Sequence, residues 1–188
     1  AAFEPAFRET LFNLTSIMTG TGFFSGDFSV WGGFSMVVAF VVGLIGGCSG
    51  SSSGALTVFR VQIALQFLAR EIRRIGAPNA VDPVKYDGRT VADDVLNAVV
   101  MFVSGYIVII GLLSVAMTLT GVDSVSAMFG IWQAMGNIGY GFGPLMLRTG
   151  TFVDFPPAAI AIMSVAMILG RLGLMALLLL VLPAFWRR

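Results

Sequence analysis

The chain has 188 residues, of which 57% are hydrophobic and only 11% are charged, and its formal net charge is +1. A soluble domain carries roughly 25% charged residues, so this composition indicates an integral membrane protein whose surroundings are a lipid bilayer, with no sign of nucleic-acid binding. The chain has no histidine and a single cysteine, Cys48, which excludes an internal disulfide and any Cys/His or Ser/His catalysis, so we expect that it is not an enzyme.

The first half of the chain contains three predicted elements. A short amphipathic helix is predicted over residues 4–18, where apolar side chains recur at helical spacing. A glycine-rich segment at 19–26, here called the first glycine loop, separates it from a longer apolar run. That run ends in Gly46–Gly54, a stretch of nothing but small residues that we call the small-residue segment. Helix is predicted to resume over 55–74.

The second half repeats this order after a polar connection at about residues 76–93. An apolar helix at 95–120 is long enough to cross a bilayer, which takes about 20 residues. A second short helix at 124–135 leads into the second glycine loop at 136–144, and a final spanning helix is predicted at 154–183. Short helix, glycine loop and long helix therefore occur twice in the same order.

The repeat divides the chain into three parts. We expect residues 1–75 to form most of one helix–pore loop–helix repeat, residues 76–93 a cytoplasmic linker, and residues 94–188 a complete repeat. The spanning helix that precedes the short helix in the second repeat has no counterpart in the first. We therefore expect this chain to be the C-terminal part of a longer protein.

The basic residues indicate the orientation in the membrane. Most of them lie beyond the long helices, on the side of the linker and the C-terminus: Arg70, Arg73, Arg74, Lys85, Arg89, Arg187 and Arg188. Only Arg8 and Arg148 fall on the side of the glycine loops. Because positive residues accumulate on the cytoplasmic side, we expect the glycine loops to face outward and the C-terminus to be cytoplasmic.

The two glycine loops are the candidate ion-binding residues. Backbone that leaves the helix at membrane depth exposes polar groups that cost several kcal/mol each unless they are satisfied, as they are in a pore lining. Glycine permits the positive φ angles that aim successive carbonyls at one axis, where they replace the hydration shell of a monovalent cation. The predicted filter residues are Gly20, Thr21, Gly22, Asn137, Ile138 and Gly139. The alternative is that both loops only connect helices.

A gate is predicted beneath these loops. The small-residue segment favours a broken helix whose carbonyls and hydroxyls face the cavity, although close helix packing through small residues is an alternative. Its candidate gate residues are Gly46, Gly47, Ser49, Gly50, Ser51, Ser52, Ser53 and Gly54. Arg171 lies in mid-helix, where a charge costs about 2.5–3.5 kcal/mol, and its guanidinium would donate to those carbonyls and repel a cation. Snorkelling of Arg171 to an interface is the alternative, and Cys48 is expected to be a small buried packing residue.

Several short motifs run along the chain: Thr19-Gly20-Thr21-Gly22-Phe23, the small-residue segment leading to Val58-Phe59-Arg60, Gly136-Asn137-Ile138-Gly139, Gly170-Arg171-Leu172 and Phe185-Trp186-Arg187-Arg188. In these motifs the chain resembles the Trk/Ktr/HKT family of potassium transporters over nearly its whole length. The resemblance implies an all-α membrane protein with four helix–re-entrant pore loop–helix repeats arranged as in potassium channels. This chain would supply most of the third repeat and all of the fourth.

The resemblance also implies the ion and the partners. Potassium would be the transported ion, held by carbonyls at Gly20, Thr21, Asn137 and Ile138, with no organic cofactor in this chain. The small-residue segment would be the intramembrane gate. The partners would be the N-terminal pore repeats of the same protein, a second copy in a homodimer, and a cytoplasmic nucleotide-binding regulatory subunit. The location would be the bacterial inner membrane.

The chain departs from the family pattern at four places. Thr19-Gly20-Thr21-Gly22 stands where the family usually has Thr-Thr-Thr-Gly, and Tyr140 where proline is common. Thr57 replaces a usual lysine, and Gly173 a usual acid. The departures in the loops leave a Na⁺-coupled or Na⁺-permeable cation transporter as an alternative function. A non-conducting membrane assembly subunit, whose loops only pack, is the second alternative.

Overall fold

A computed structural model describes residues 3–26, 32–51, 53–77, 83–149 and 151–172 of the chain. Within these ranges the regular structure consists of helices and one two-stranded hairpin. In chain order the elements are α1 (Phe3–Thr19), α2 (Gly33–Ile45), α3 (Val58–Gly76), β1 (Lys85–Tyr86), β2 (Arg89–Thr90), α4 (Asp93–Thr118), α5 (Ser124–Gly136), α6 (Pro144–Thr149) and α7 (Pro157–Leu172).

Helix α5 lies at the centre of the described fold. Nearly every residue from Ser126 to Gly136 is buried, against α4 on one side and α7 on the other. Its sequence is apolar on all faces, as expected of a helix enclosed by its neighbours. The buried cluster around it includes Met117, Ile131 and Met163. The second glycine loop begins where this buried helix ends, so the helix fixes the starting point of the loop.

Helix α4 is the one element in the described residues that is long and apolar enough to cross a membrane. It has 26 residues, and most of its apolar surface is exposed on this chain. Helices α2 and α7 are apolar but shorter within the described residues. The final helix was predicted to reach residue 183, and residues 173–183 lie outside the described part of the chain.

Helix α1 has an unexpected orientation. The apolar stripe that predicted it faces outward, with Phe7 58% and Leu11 56% exposed. The side that faces the rest of the chain instead carries Asn13, Ser16 and Ile17, all buried. In a membrane, the outward apolar face would contact lipid or further protein. Polar side chains on the inner face indicate that the interior contains other polar groups, because buried polar side chains need hydrogen-bond partners.

The chain is not helical between Ile45 and Val58 in the described residues. Gly46 has φ +68°, and its amide donates to the Val42 carbonyl at 2.9 Å, which ends α2. The Leu56 amide then donates to the Leu44 carbonyl at 3.2 Å, so the chain leaves α2 and returns to it. Cys48 lies in this excursion and is exposed, so the expectation that it is buried is wrong.

The polar connection contains a hairpin that its sequence did not predict. Lys85 pairs with Thr90 and Tyr86 with Arg89, around a turn in which Asp87 and Gly88 both have positive φ. An Asp-Gly pair in this conformation is a preferred two-residue hairpin turn. Tyr86 stacks edge-on against Phe59 of α3 at 4.8 Å, which joins the hairpin to the cluster between α3 and α4.

Candidate functional site

The first glycine loop begins with a helix cap at the end of α1. The Gly20 amide donates to the Ile17 carbonyl at 3.2 Å, and the Thr21 amide donates to the Ser16 carbonyl at 3.0 Å. This pair of bonds is a Schellman motif, and it places Gly20 in the left-handed region at φ +71°. Gly22 also has a positive φ, +78°. The loop therefore alternates between left-handed and ordinary backbone over the predicted filter residues.

The second glycine loop has the same main-chain geometry. The Asn137 amide donates to the Ala134 carbonyl at 3.1 Å, and the Ile138 amide donates to the Gln133 carbonyl at 3.0 Å. Asn137 is left-handed at φ +52°, and Gly139 follows at φ +89°. Asparagine is the residue that most often replaces glycine at such a cap. The two loops are therefore structural equivalents as well as sequence equivalents.

The two loops lie directly against each other. A Cβ atom at Gly22 would overlap the carbonyl oxygen of Ile138, and one at Gly20 would lie 3.6 Å from the carbonyl oxygen of Asn137. The side chain of Ile138 points the other way, 2% exposed, into the cluster that contains Trp132. This leaves the main-chain oxygens of the second loop facing the glycines of the first. The structure thus brings together the predicted filter residues of both repeats.

The small-residue segment meets the loops at its C-terminal end. The Gly54 amide donates to the Gly136 carbonyl at 3.1 Å, and a Cβ atom at Gly20 would lie 3.5 Å from the Cα of Ser53. Gly46 and Gly47 are buried at the other end of the segment. The predicted gate residues between these ends are exposed: Ser49, Gly50 and Ser51. Ser52 lies outside the described residues.

Helix α7 joins the same junction through Gly170. A Cβ atom there would overlap the Met135 carbonyl and lie 3.0 Å from Nδ2 of Asn137. The same Nδ2 donates to the Met167 carbonyl at 3.3 Å. Arg171 follows Gly170 directly, and its side chain is exposed on this chain. The structure therefore places Arg171 next to the meeting point of the second loop, α7 and the small-residue segment.

Two supports of the loops were not predicted from the sequence. The Asn13 side chain makes two bonds with the main chain of Ser25, donating to its carbonyl at 2.9 Å and accepting from its amide at 2.8 Å. The rings of Phe24 and Tyr140 lie 4.4 Å apart and link the two loops. The sequence signal for the bond between Asn13 and Ser25 was the presence of a single asparagine among the apolar residues of α1.

The described residues offer main-chain oxygens rather than side chains as ion ligands. They contain no group of three or more His, Cys, Asp or Glu side chains that could hold a metal ion. The Ile138 and Asn137 carbonyl oxygens of the second loop lie against Gly22 and Gly20 of the first, and neutral carbonyl oxygens are ligands that suit a monovalent cation.

Comparison with known proteins identifies relatives over nearly the whole chain. A family model described as TrkH, a cation transport protein, matches residues 3–188. The Trk system potassium uptake protein TrkI of Halomonas elongata is 34% identical over 187 residues, which cover 98% of this chain and 38% of the relative. TrkH from the same organism is 38% identical over 181 residues, which cover 96% of this chain and 37% of the relative.

A solved structure agrees with the fold. The crystal structure of the potassium transporter TrkH from Vibrio parahaemolyticus matches with a TM-score of 0.90 at 33% identity, covering 98% of this chain and 39% of that chain. The architecture is therefore that of an all-α membrane transporter. The chain spans less than two fifths of the length of these relatives.

Proposed function

Because the chain belongs to the TrkH family of cation transport proteins, we propose that it contributes two filter loops and a gate to a pathway for potassium uptake. The observation that carries this proposal is the contact between two equivalent loops. Each loop has left-handed backbone at alternate positions, and the Ile138 carbonyl faces Gly22 across the interface. Main-chain oxygens from both loops can then replace the water around one potassium ion.

The pathway needs more than this chain. We propose that residues 1–75 and 94–188 are the third and fourth of four pore repeats, and that the N-terminal repeats of the same protein supply the other two filter segments. The potassium ion is then held chiefly at Gly20, Thr21, Asn137 and Ile138. The ion moves down its electrochemical gradient, and the full protein works as a homodimer regulated by a cytoplasmic nucleotide-binding subunit.

Uptake of ⁸⁶Rb⁺ into proteoliposomes containing the full-length protein tests this function. We expect excess K⁺ to suppress the uptake far more strongly than the same concentration of Na⁺. Equal suppression by the two ions would instead favour a Na⁺-permeable or Na⁺-coupled transporter. No uptake above empty liposomes would contradict the proposal and favour an assembly subunit whose glycine loops only pack.

We propose that Arg171 and the small-residue segment form the gate. The segment is tied to the base of the second loop by the Gly54–Gly136 bond, and Gly170 places Arg171 beside this bond. A guanidinium at this depth repels a cation that leaves the filter and can donate to free carbonyls. Opening then requires the segment and Arg171 to move apart.

Substitution of Arg171 tests the gate. Arg171→Ala removes the positive charge, so initial Rb⁺ uptake should be faster than in the wild-type protein. Arg171→Lys keeps the charge but loses the planar group of donors, so its uptake rate should lie between the two. An Arg171→Ala protein that is inserted normally but conducts no faster than wild type would contradict the assignment.

A further inference from the structure

The small-residue segment rejoins α3 through residues 56–58, here called the segment base, and this connection is strained. Thr57 has φ +70° and is buried. A β-branched residue rarely adopts this left-handed conformation, so the conformation persists only where the surrounding structure fixes it. The Val58 amide donates to the Gly47 carbonyl at 3.1 Å, which ties the segment base to the start of the segment.

The segment base is also held from α4, through Arg60 in the first turn of α3. The guanidinium carbon of Arg60 lies 4.1 Å from the centre of the Phe102 ring, well within the ~6 Å over which an aromatic face attracts a cation. Nη1 of the same group donates to the Leu56 carbonyl at 3.4 Å. Phe102 is buried and packs in the same core cluster as Leu56. One guanidinium therefore joins the segment base to a buried ring of the neighbouring helix.

The position of Arg60 makes its charge costly. Phe102, which it contacts, lies about 14 Å along α4 from the first residue of that helix, Asp93, so we expect Arg60 to lie at membrane depth. A guanidinium at this depth is disfavoured unless neighbouring groups satisfy it. Asp94 lines the same open groove as Arg60, but no carboxylate among the described residues pairs with Arg60. The Phe102 ring and the Leu56 carbonyl are therefore its partners in this part of the chain.

The two contacts of Arg60 bear on the proposed gate because the segment and its base are connected. The segment is bonded to the end of α5 through the Gly54 amide and the Gly136 carbonyl, and the segment base follows directly. A movement that withdraws the segment from the second loop displaces the Leu56 carbonyl relative to α4. Since Arg60 contacts both that carbonyl and Phe102 of α4, such a movement breaks or weakens one of the two contacts.

We propose that Arg60 is a positioning residue that holds the small-residue segment against the second loop, through the contact between its guanidinium and the Phe102 ring. The contact is made while the segment lies against the loop and is weakened when the segment withdraws, so it favours the closed gate. Removal of either partner then shifts the equilibrium towards the open gate. The inference rests on the proposed gate and adds the side chains that set how often this gate opens.

The test uses the full-length protein and two measurements. The first is initial ⁸⁶Rb⁺ uptake. The second is the rate at which a small thiol reagent labels Thr57→Cys in a background free of other cysteines, with Cys48→Ser in this chain. Thr57 is buried, so labelling requires the segment base to move, and it needs no conduction. Arg60→Met and Phe102→Leu each replace one partner by an apolar side chain, and Arg60→Lys keeps the charge without the planar guanidinium.

Phe67→Leu is the matched control. Phe67 also lies on α3 and also contacts an arginine, since the Arg70 guanidinium is 5.1 Å from its ring centre. It lies about two turns beyond Arg60, away from the segment base. Phe67→Leu should therefore keep the wild-type rates of uptake and labelling, even where it lowers stability. Thermal unfolding of each purified variant reports that stability.

We expect Arg60→Met and Phe102→Leu each to raise uptake and labelling about two- to thirtyfold, the range that corresponds to the loss of a cation–π contact. Arg60→Lys should lie between Arg60→Met and the wild type. The double variant should not exceed Arg60→Met, because both changes remove the same contact. If the two effects instead multiply, or if Phe67→Leu gives the same increase, general loss of packing explains the result and the inference is overturned.

Two further outcomes are decisive. If Arg60→Met does not fold, Phe102→Leu decides alone, and a wild-type labelling rate in that variant overturns the inference. If the wild-type protein takes up no Rb⁺, the proposed function fails, while labelling of Thr57→Cys still tests the contact. Wild-type uptake together with unchanged labelling in both variants overturns the inference and leaves the proposed function standing.

Discussion

At the scale of single residues, Gly22 is the position where the two repeats depend most directly on each other. Its φ of +78° and the Ile138 carbonyl opposite it both exclude a side chain. A left-handed conformation alone costs a non-glycine residue roughly 1–2 kcal/mol. The overlap with a main-chain oxygen adds a displacement that falls on the proposed ion ligand itself.

Gly22→Ala should therefore abolish or strongly reduce selective Rb⁺ uptake. Gly121→Ala is the control, because Gly121 also has a positive φ, +92°, but a Cβ atom there would enter open space in the turn before α5. Both variants carry the same kind of backbone strain, so only Gly22→Ala should lose uptake at equal protein levels. Equal uptake by the two variants would show that the loops do not form the filter.

Residue identities were predictable where the backbone demands a residue type. Positive φ requires glycine or asparagine, so Gly20, Gly22, Asn137 and Gly139 were visible in the sequence. The burial of the polar residues at 16 and 133 was not predictable, because a single polar residue in a short helix does not reveal which neighbours it faces. Cys48 was misjudged for the opposite reason. Its apolar surroundings in sequence suggested burial, but the chain leaves the helix there and exposes it.

At the scale of elements, the short helix α5 is held at its start by Asp123. The carboxylate accepts from the Ser126 amide at 3.0 Å, which satisfies one of the free donors of the first turn. The C-terminal end of this helix leads directly into the second glycine loop. A change in the stability of the helix start should therefore also affect the position of the loop that we propose as a filter segment.

Asp123→Ala should lower the stability of the protein by about 1 kcal/mol, since aspartate and asparagine are good N-caps and alanine is a poor one. Asp123→Asn should unfold at nearly the wild-type temperature, because it keeps the capping oxygen while removing the charge. Thermal unfolding in detergent measures both. If Asp123→Asn is as unstable as Asp123→Ala, the stabilisation comes from the negative charge and not from the cap.

The helices that precede the loops were predictable almost to the residue, and some other elements were not. The helices predicted at residues 4–18 and 124–135 are Phe3–Thr19 and Ser124–Gly136 in the structure. The agreement is close because strong cap signals mark the ends of both helices. The hairpin at 85–90 and the short helix α6 have no hydrophobic period long enough to detect. The orientation of α1 was also not predictable. Hydrophobic periodicity shows that a helix has an apolar face, but not whether that face packs inside the protein or faces outward.

At the scale of the whole molecule, the fold follows from the repeat and from the length of α4. With 26 residues, α4 is about 39 Å long, more than the ~30 Å of the hydrocarbon core. The hairpin precedes its first residue, and the turn to α5 follows its last. We therefore expect the two ends of α4 to emerge on opposite sides of the membrane, with the hairpin on one side and the glycine loops on the other.

The distribution of basic residues predicts which side of the membrane is cytoplasmic. By the positive-inside rule, the basic residues around the hairpin, including Arg73, Arg74 and Lys85, predict that this side is cytoplasmic and that the glycine loops face outward. Single cysteines test this in a full-length background free of other cysteines, with Cys48→Ser in this chain. Val153→Cys, at a position 79% exposed between α6 and α7, reports one side. Thr90→Cys, on the exposed strand β2, reports the other.

A membrane-impermeant maleimide should label Val153→Cys in cells whose inner membrane is intact, and Thr90→Cys only after that membrane is opened. The two sites serve as controls for each other, because the same reagent must discriminate between them in one preparation. The reverse pattern would invert the orientation, so that the filter faced the cytoplasm and uptake would have to begin at the gate. Labelling of both sites from the same side would contradict the crossing of α4, and with it the placement of the loops at one face of the membrane.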